Sequence, residues 1–412
     1  MQAKINHRTS TTTALLLFIA TIVSVSPLIH AFSPIKGNVI YVVAVLVLLI
    51  RKSWWSVAYG KYLFWCLLVE FFALIPTLYW QQPLMFLIPT YLLVSILAVS
   101  VLDSEDVKAF VDLVSGFLVL TLAGAVIGTL YAYFGGASLL EFLNADGRAN
   151  NLFLTTLTNS QFLNYIRPSG VFDEPGALSF VTCFVAALRH AAGCNKRVTW
   201  LMLGIGFITT SVAHLLYTVM HAAQEFKGNK RAGKFLLTAG LIALVLWLLV
   251  LFFPPIQDIF SVLFLSRLSG DDLGDDRATT MENALQYLDM RSIFFGLDPQ
   301  CAVGIANCVI DKGYANYGDN PLTLLLHWGI FLAFPYYLSL TYFAGFALLR
   351  RNFIIVGLTI LLLQRPYTMS YGYSLFILLT SLTVLNISFR PSQKAPGSNT
   401  SRPLPVSLIK DA

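Results

Sequence analysis

The stretch Arg167–Phe180, RPSGVFDEPGALSF, places an arginine, two adjacent acids, two prolines and two glycines at the start of an apolar run. That combination suits the binding of an oxyanion. Pro175 fits the first turn of a helix, where its missing N–H costs nothing, and Asp173 or Glu174 fits the cap. The helix start then carries a partial positive charge and free N–H groups. Arg167 stands just before it, beyond the Pro168–Gly170 turn, with a planar fork matched to phosphate oxygens. The same residues also allow a purely structural use, an ion pair from Arg167 to Asp173 or Glu174 that closes the loop. Other chemistries lack their residues. There is no CxxC, no histidine pair at metal spacing, no phosphate-binding Walker loop and no GxSxG. No metal site and no cofactor is therefore expected. Of the five cysteines, Cys301 and Cys308 have six residues between them and allow either a small disulfide loop or two buried thiols.

The elements that must position this cluster are membrane spans. The chain has 412 residues, 57% of them hydrophobic and 12% charged; soluble domains carry about 25% charged residues. A span needs about 20 apolar residues. Candidates are 14–32, 34–50, 60–80, 83–102, 109–134, 175–188, 235–253, 321–349, 353–363 and 371–389. Residues 14–25 resemble a signal peptide in isolation, but so many following spans favour an uncleaved first helix. Segment 198–226 reads as two short spans or a re-entrant pair. Its centre holds the polar break Thr209-Thr210-Ser211, and a single crossing would put Lys227, Lys230, Arg231 and Lys234 on the wrong side. The expected fold class is therefore all-α, a polytopic membrane helix bundle of about 12 transmembrane helices. Both termini are cytoplasmic.

Residues 1–389 form the membrane domain in this reading, and 390–412, rich in Pro and Ser, form a disordered cytoplasmic tail. Two outer segments, about 135–174 and 254–320, are too long to be simple connectors. The second is expected to be largely helical. Residues 256–268 have helical apolar spacing, and 277–288 repeat Ala278, Met281, Leu285 and Leu288 after an acidic turn. The net charge of +6 reports membrane orientation rather than nucleic-acid binding.

With those elements in place, a family resemblance emerges. RPSGVFDEPGALSF is similar to the R-x-x-G-x-F-x-E-P pattern of the O-antigen polymerase/ligase family of bacterial inner-membrane glycosyltransferases, matched by Arg167, Gly170, Phe172, Glu174 and Pro175. Residues 277–299, with Gly296, resemble that family's arginine-to-glycine segment. Residues 319–330, DNPLTLLLHWGI, resemble its H-N-x-x-L-x-x-L-x-x-x-G-i segment through Asn320, Leu326, Gly329 and Ile330. Thr209-Thr210-Ser211 sits where the family has a T-x-S-R break, with Val212 in place of the arginine. Asp319 replaces the histidine of the ligases, which leans the resemblance toward polymerase.

The resemblance implies sugar transfer from an undecaprenyl-pyrophosphate donor to a hydroxyl of a lipid-linked acceptor glycan, without a metal. Arg167, Glu174 and Asp319 would be catalytic. Arg167 would stabilise the leaving pyrophosphate, and Glu174 or Asp319 would accept the hydroxyl proton; Glu174 equally suits orienting Arg167. Arg277, Arg291, Asn320 and Asp173 would contact pyrophosphate or glycan, with Arg148 a weaker candidate. Implied partners are the lipid-linked oligosaccharide, membrane lipids, a chain-length regulator and other polysaccharide-assembly proteins, with no nucleic acid. The product would be O-antigen, capsule or exopolysaccharide. Two alternatives stay open: a ligase of the same family, and a flippase or transporter of lipid-linked oligosaccharide. The latter needs polar residues along several spans, and Glu70 is the one mid-span acid.

Overall fold

The computed structural model describes residues 2–51, 60–82, 86, 89–143, 149–162, 165–227, 277–297, 320–366 and 370–384. The expectations for 235–253, 256–268, the tail, Arg148, Asp319, Cys301 and Cys308 lie outside the described residues. The chain is mostly helical. In order come α1 Gln2–Val25, α2 Pro27–Phe32, α3 Gly37–Arg51, α4 Gly60–Trp80, α5 Thr90–Ser100 and α6 Ser104–Tyr133. After a small β region follow α7 Pro175–Ala191, α8 Lys196–Gly206 and α9 Val212–Phe226. The remainder is α10 Arg277–Gln286, α11 Met290–Phe295, α12 Thr323–Trp328, α13 Ile330–Arg350, α14 Phe353–Gln364 and α15 Tyr371–Val384.

Among the described residues, two helices, Ser104–Tyr133 and Ile330–Arg350, are long and apolar enough to cross a membrane. Shorter apolar helices accompany them, including Gly37–Arg51 and Tyr371–Val384. Several helices turn large apolar side chains outward. On α3 these include Val39, Val43, Leu46 and Ile50, and on α4 Phe64, Phe71 and Leu78. Extended exposed apolar faces are what a protein keeps for a partner or a lipid phase.

Three expectations change. The first span, 14–32, is two helices parted at Ser26, because Pro27 begins α2 as its first residue. The span 321–349 is likewise two helices, parted at Gly329. The third change is in the fold class, which is not purely helical. Within 135–174 lie β1 Leu140–Leu143, β2 Ala149–Phe153 and β3 Thr156–Thr158, an antiparallel sheet in chain order, and the hairpin β4 Gln161–Phe162 with β5 Tyr165–Ile166. This loop folds onto a stripe of small residues on α6. Thr155 Oγ1 donates to the Gly124 carbonyl at 2.6 Å, and a Cβ on Gly128 would come within 2.6 Å of the Phe153 carbonyl. By contrast, 198–226 is broken as its polar centre suggests. Helices α8 and α9 flank a 3₁₀ turn at Phe207–Thr209, with Thr210 left-handed at φ +50°.

Helix α7 is the hub, buried from Ala177 through Arg189 and packed against α6, α8, α9 and α15. Arg189 fastens its far end, donating to Thr199 Oγ1, Ser115 Oγ and the Asn195 carbonyl. Glu225 near the end of α9 meets both His190 and Lys196, so α8 and α9 form a hairpin whose open end lies beside the end of α7. Helix α14 runs antiparallel to α9, with Lys227 Nζ on the Arg351 carbonyl and the Phe353 N–H on Gln224 Oε1. One end of this bundle therefore gathers Arg189, Lys196, Lys227 and Arg351. The other end holds the start of α7, the α8–α9 break and the last residues of α14.

Candidate functional site

The loop before α7 is held by the β region. Gly170, at φ +64°, lies so close to α6 that a Cβ would stand 2.3 Å from Thr121 Cγ2. Its N–H donates to Thr156 Oγ1 at 2.9 Å, and Leu157 pairs with it as an isolated bridge. Arg167 is gripped on its backbone at both ends. Its N–H donates to the Ser160 carbonyl at 3.0 Å, and its carbonyl accepts from Thr158 Oγ1 at 2.7 Å. The side chain then reaches the α8–α9 break. Nε donates to Thr210 Oγ1 at 2.8 Å, and Nε and Nη2 reach the Thr209 carbonyl at 3.3 and 3.2 Å. The two motifs singled out in sequence, at Arg167 and at Thr209–Ser211, thus meet through one guanidinium.

Glu174 occupies the N-cap position of α7 and Pro175 the first turn, as expected, but the Glu174 side chain makes no capping bond. Its carboxylate is paired instead with Arg365, the C-cap residue just past α14. This partner was not anticipated. Arg365 lies across the chain, in the short polar interruption Gln364-Arg365-Pro366 between two apolar helices, and that interruption is the one signal the sequence carries. Gly176 makes the contact possible. A Cβ there would sit 2.6 to 2.9 Å from Nε, Cζ and Nη2 of Arg365, so the guanidinium lies directly on the first turn of α7. Beside it Tyr373 Oη of α15 donates to Asp173 Oδ1 at 3.4 Å. Arg167, Asp173 and Glu174 are therefore brought to one end of α7, joined by Arg365 and Tyr373.

Arg291 and Asn320 belong to a second group of contacts. Asp289 caps α11 reciprocally with Ser292, and the Ser292 N–H holds its carboxyl below the usual carboxylate range. Arg291 in that helix lies over the rings of Trp80 and Tyr79, 5.0 and 6.0 Å from their centroids. Phe295 stacks on Tyr79 at 3.9 Å, and its carbonyl accepts from Trp80 Nε1 at 2.8 Å. Asn320 is buried and turns the chain into α12, its Oδ1 accepting from the Leu322 N–H at 2.8 Å. Gly296 and Gly329, one from each of the two later motifs, press together. A Cβ on Gly329 would lie 2.2 Å from the Phe294 carbonyl oxygen, and one on Gly296 would lie 2.6 Å from that of His327. Arg277 is the first residue of α10. His327, half-buried beside Trp328, lies in the last turn of α12.

No family model, curated protein or solved structure matches this chain.

What the α7 end can do follows from its charges. Two guanidinium groups, a helix N-terminus and two carboxylates lie at one end of the bundle. An arginine held on threonine oxygens is fixed in direction before any ligand arrives. That arrangement suits an anion whose charge grows during a reaction.

Proposed function

We propose that this chain is a multi-pass polysaccharide polymerase of the bacterial cytoplasmic membrane. It would transfer glycan from an undecaprenyl-pyrophosphate donor to a lipid-linked acceptor repeat at the outer face. The observation that carries the reading is the pairing of Arg365 with Glu174 over Gly176, at the same end of α7 as Arg167. The sequence motif there is similar to that of the O-antigen polymerase/ligase family, and an unlooked-for second arginine at the motif fits the need to neutralise a leaving pyrophosphate. The outward apolar faces of α3 and α4 support a membrane setting.

In this mechanism an acceptor hydroxyl attacks the anomeric carbon of the donor glycan. The bond from that carbon to the pyrophosphate oxygen breaks, and the leaving group departs as undecaprenyl pyrophosphate. Arg167 and Arg365 stabilise the charge that develops on it. Glu174 acts by orienting Arg365, since a carboxylate in an ion pair is a weaker base. Asp319 takes the hydroxyl proton, and Arg277, Arg291 and Asn320 border the glycan. A ligase of the same family is the second reading, and Asp319 in place of a histidine disfavours it.

The glycan profile of cells lacking the protein tests the choice. A polymerase leaves single repeat units transferred with no long chains. Long chains piled up on the lipid carrier mean a ligase. Repeat units trapped on the inner leaflet mean a flippase, and the proposal fails.

A further inference from the structure

At the opposite end of α7 the chain gathers a second set of side chains, and none of the chemistry above uses it. His190 lies in the last turn of α7, while His221 and Glu225 stand four residues apart on one face of α9. Among the described residues, this group of His and Glu side chains brings its ligand atoms within 4.8 Å of one another. His190 Nδ1 is 2.8 Å from Glu225 Oε1, and the two imidazole rings are 5.4 Å apart, edge to face. Lys196 holds the second oxygen of Glu225. Around His221 stand Tyr217, whose Oη is 3.3 Å from Nδ1, and the Trp200 ring at 5.4 Å.

Two imidazoles and a carboxylate are a donor set that zinc takes, with a fourth position left for water. Ligand atoms about 2.05 Å from a tetrahedral zinc lie about 3.3 Å apart. Helices α7 and α9 are already packed together, so the ligand atoms start close to that spacing. The Glu225 side chain is 8% exposed, whereas that of Lys196 is 70% exposed. A buried carboxylate needs a cation, and here a solvent-reaching ammonium supplies it. Such a lysine swings back into water at little cost.

We propose that His190, His221 and Glu225 form a binding site for a zinc-class divalent cation, with Lys196 standing in for the metal when none is bound. The ion would pin the end of α7 to α9, at the far end of the hairpin whose break contacts Arg167. In sequence only the four-residue spacing of His221 and Glu225 shows, because His190 comes from another helix.

The test is titration of the purified, untagged full chain in detergent with Zn²⁺ by calorimetry, and with Co²⁺ by visible absorption. One ion per chain is expected, with the intense bands of a low-coordinate cobalt site. His190→Ala, at the most exposed ligand, should weaken binding roughly 100-fold and Glu225→Gln at least as much, each with an unchanged helical circular-dichroism spectrum. Lys196→Ala should bind roughly threefold more tightly, since it removes the weakly held competing cation. Non-stoichiometric binding by the wild type, or equal binding by His190→Ala, means an ion-pair network only and overturns the site. Equal affinity in Lys196→Ala overturns the role given to the lysine.

Discussion

Gly176 stands where the Arg365 guanidinium needs room, and that makes it a sharper probe than either charged partner. Adding a Cβ there pushes only the tip of a flexible side chain, so the fold should tolerate it. Alanine is also the better helix former, by up to about 1 kcal/mol. Gly176→Ala should therefore shift the Arg365 guanidinium while keeping its pairing with Glu174, so that melting temperature changes little and product chain length falls. Stability and activity falling together would mean that Arg365 acts only in packing. Arg365→Ala should lower the elongation rate roughly 100-fold, the scale for one positioned donor at a developing oxyanion. Arg365→Lys should recover little of it, because an ammonium cannot reproduce the two-pronged contact. Recovery by lysine to near the wild-type rate would show that charge alone suffices. The sequence discloses Arg167, Asp173 and Glu174 through local spacing. Arg365 shows there only as part of a short polar interruption and Tyr373 not at all, since they come from the end of α14 and from α15 and meet the motif only through tertiary packing.

Helix breaks matter more here than helix lengths. The Thr209-Thr210-Ser211 break is legible in sequence because three polar residues interrupt an apolar run. Its partner at Gly329 is not, because an isolated glycine in an apolar run, like Gly345 in the same span, reads as an ordinary helix position. Gly329 has φ +69° and ψ 171°, and Gly296 has φ +78° and ψ 172°, a backbone region essentially closed to other residues. The N–H of Leu297 donates to the Leu326 carbonyl at 2.7 Å beside this joint. Gly329→Ala should destabilise the protein by roughly 1–3 kcal/mol from backbone strain alone, more than Gly345→Ala, where a Cβ meets nothing within 4 Å. Thermal unfolding of the two variants in detergent compares them, and equal melting temperatures would refute the joint. The β strands of the 135–174 loop were equally hidden. At two to five residues each they are too short for an alternating pattern to register, and their partner is the glycine stripe on α6.

At the scale of the whole molecule, the charge pattern and the packing point the same way. Arg189, Lys196, Lys227 and Arg351 lie at one end of the bundle around α7, and the candidate site lies at the other. The proposed orientation puts these basic residues inside, so the Arg167 end would face outward. Labelling of single added cysteines by a membrane-impermeant maleimide checks this in a background with Cys66, Cys183, Cys194, Cys301 and Cys308 all replaced by serine. Ser138→Cys should react in intact cells, and Arg197→Cys only after permeabilisation; the reverse pattern would turn the site toward the cytoplasm. The apolar composition is what suggests a membrane setting in the sequence, and the proposed reaction rests on the family resemblance. The most direct measurement is elongation by the purified protein in liposomes, using the lipid-linked repeat units that accumulate in cells lacking it. The wild type should build long chains without added metal or nucleotide. Arg167→Ala and Arg365→Ala, folded and equally inserted, should leave nearly all of the single repeats unelongated in the time the wild type needs to build its chains. Chains of normal length from either variant would remove the arginines from catalysis, and no elongation by the wild type would remove the polymerase itself.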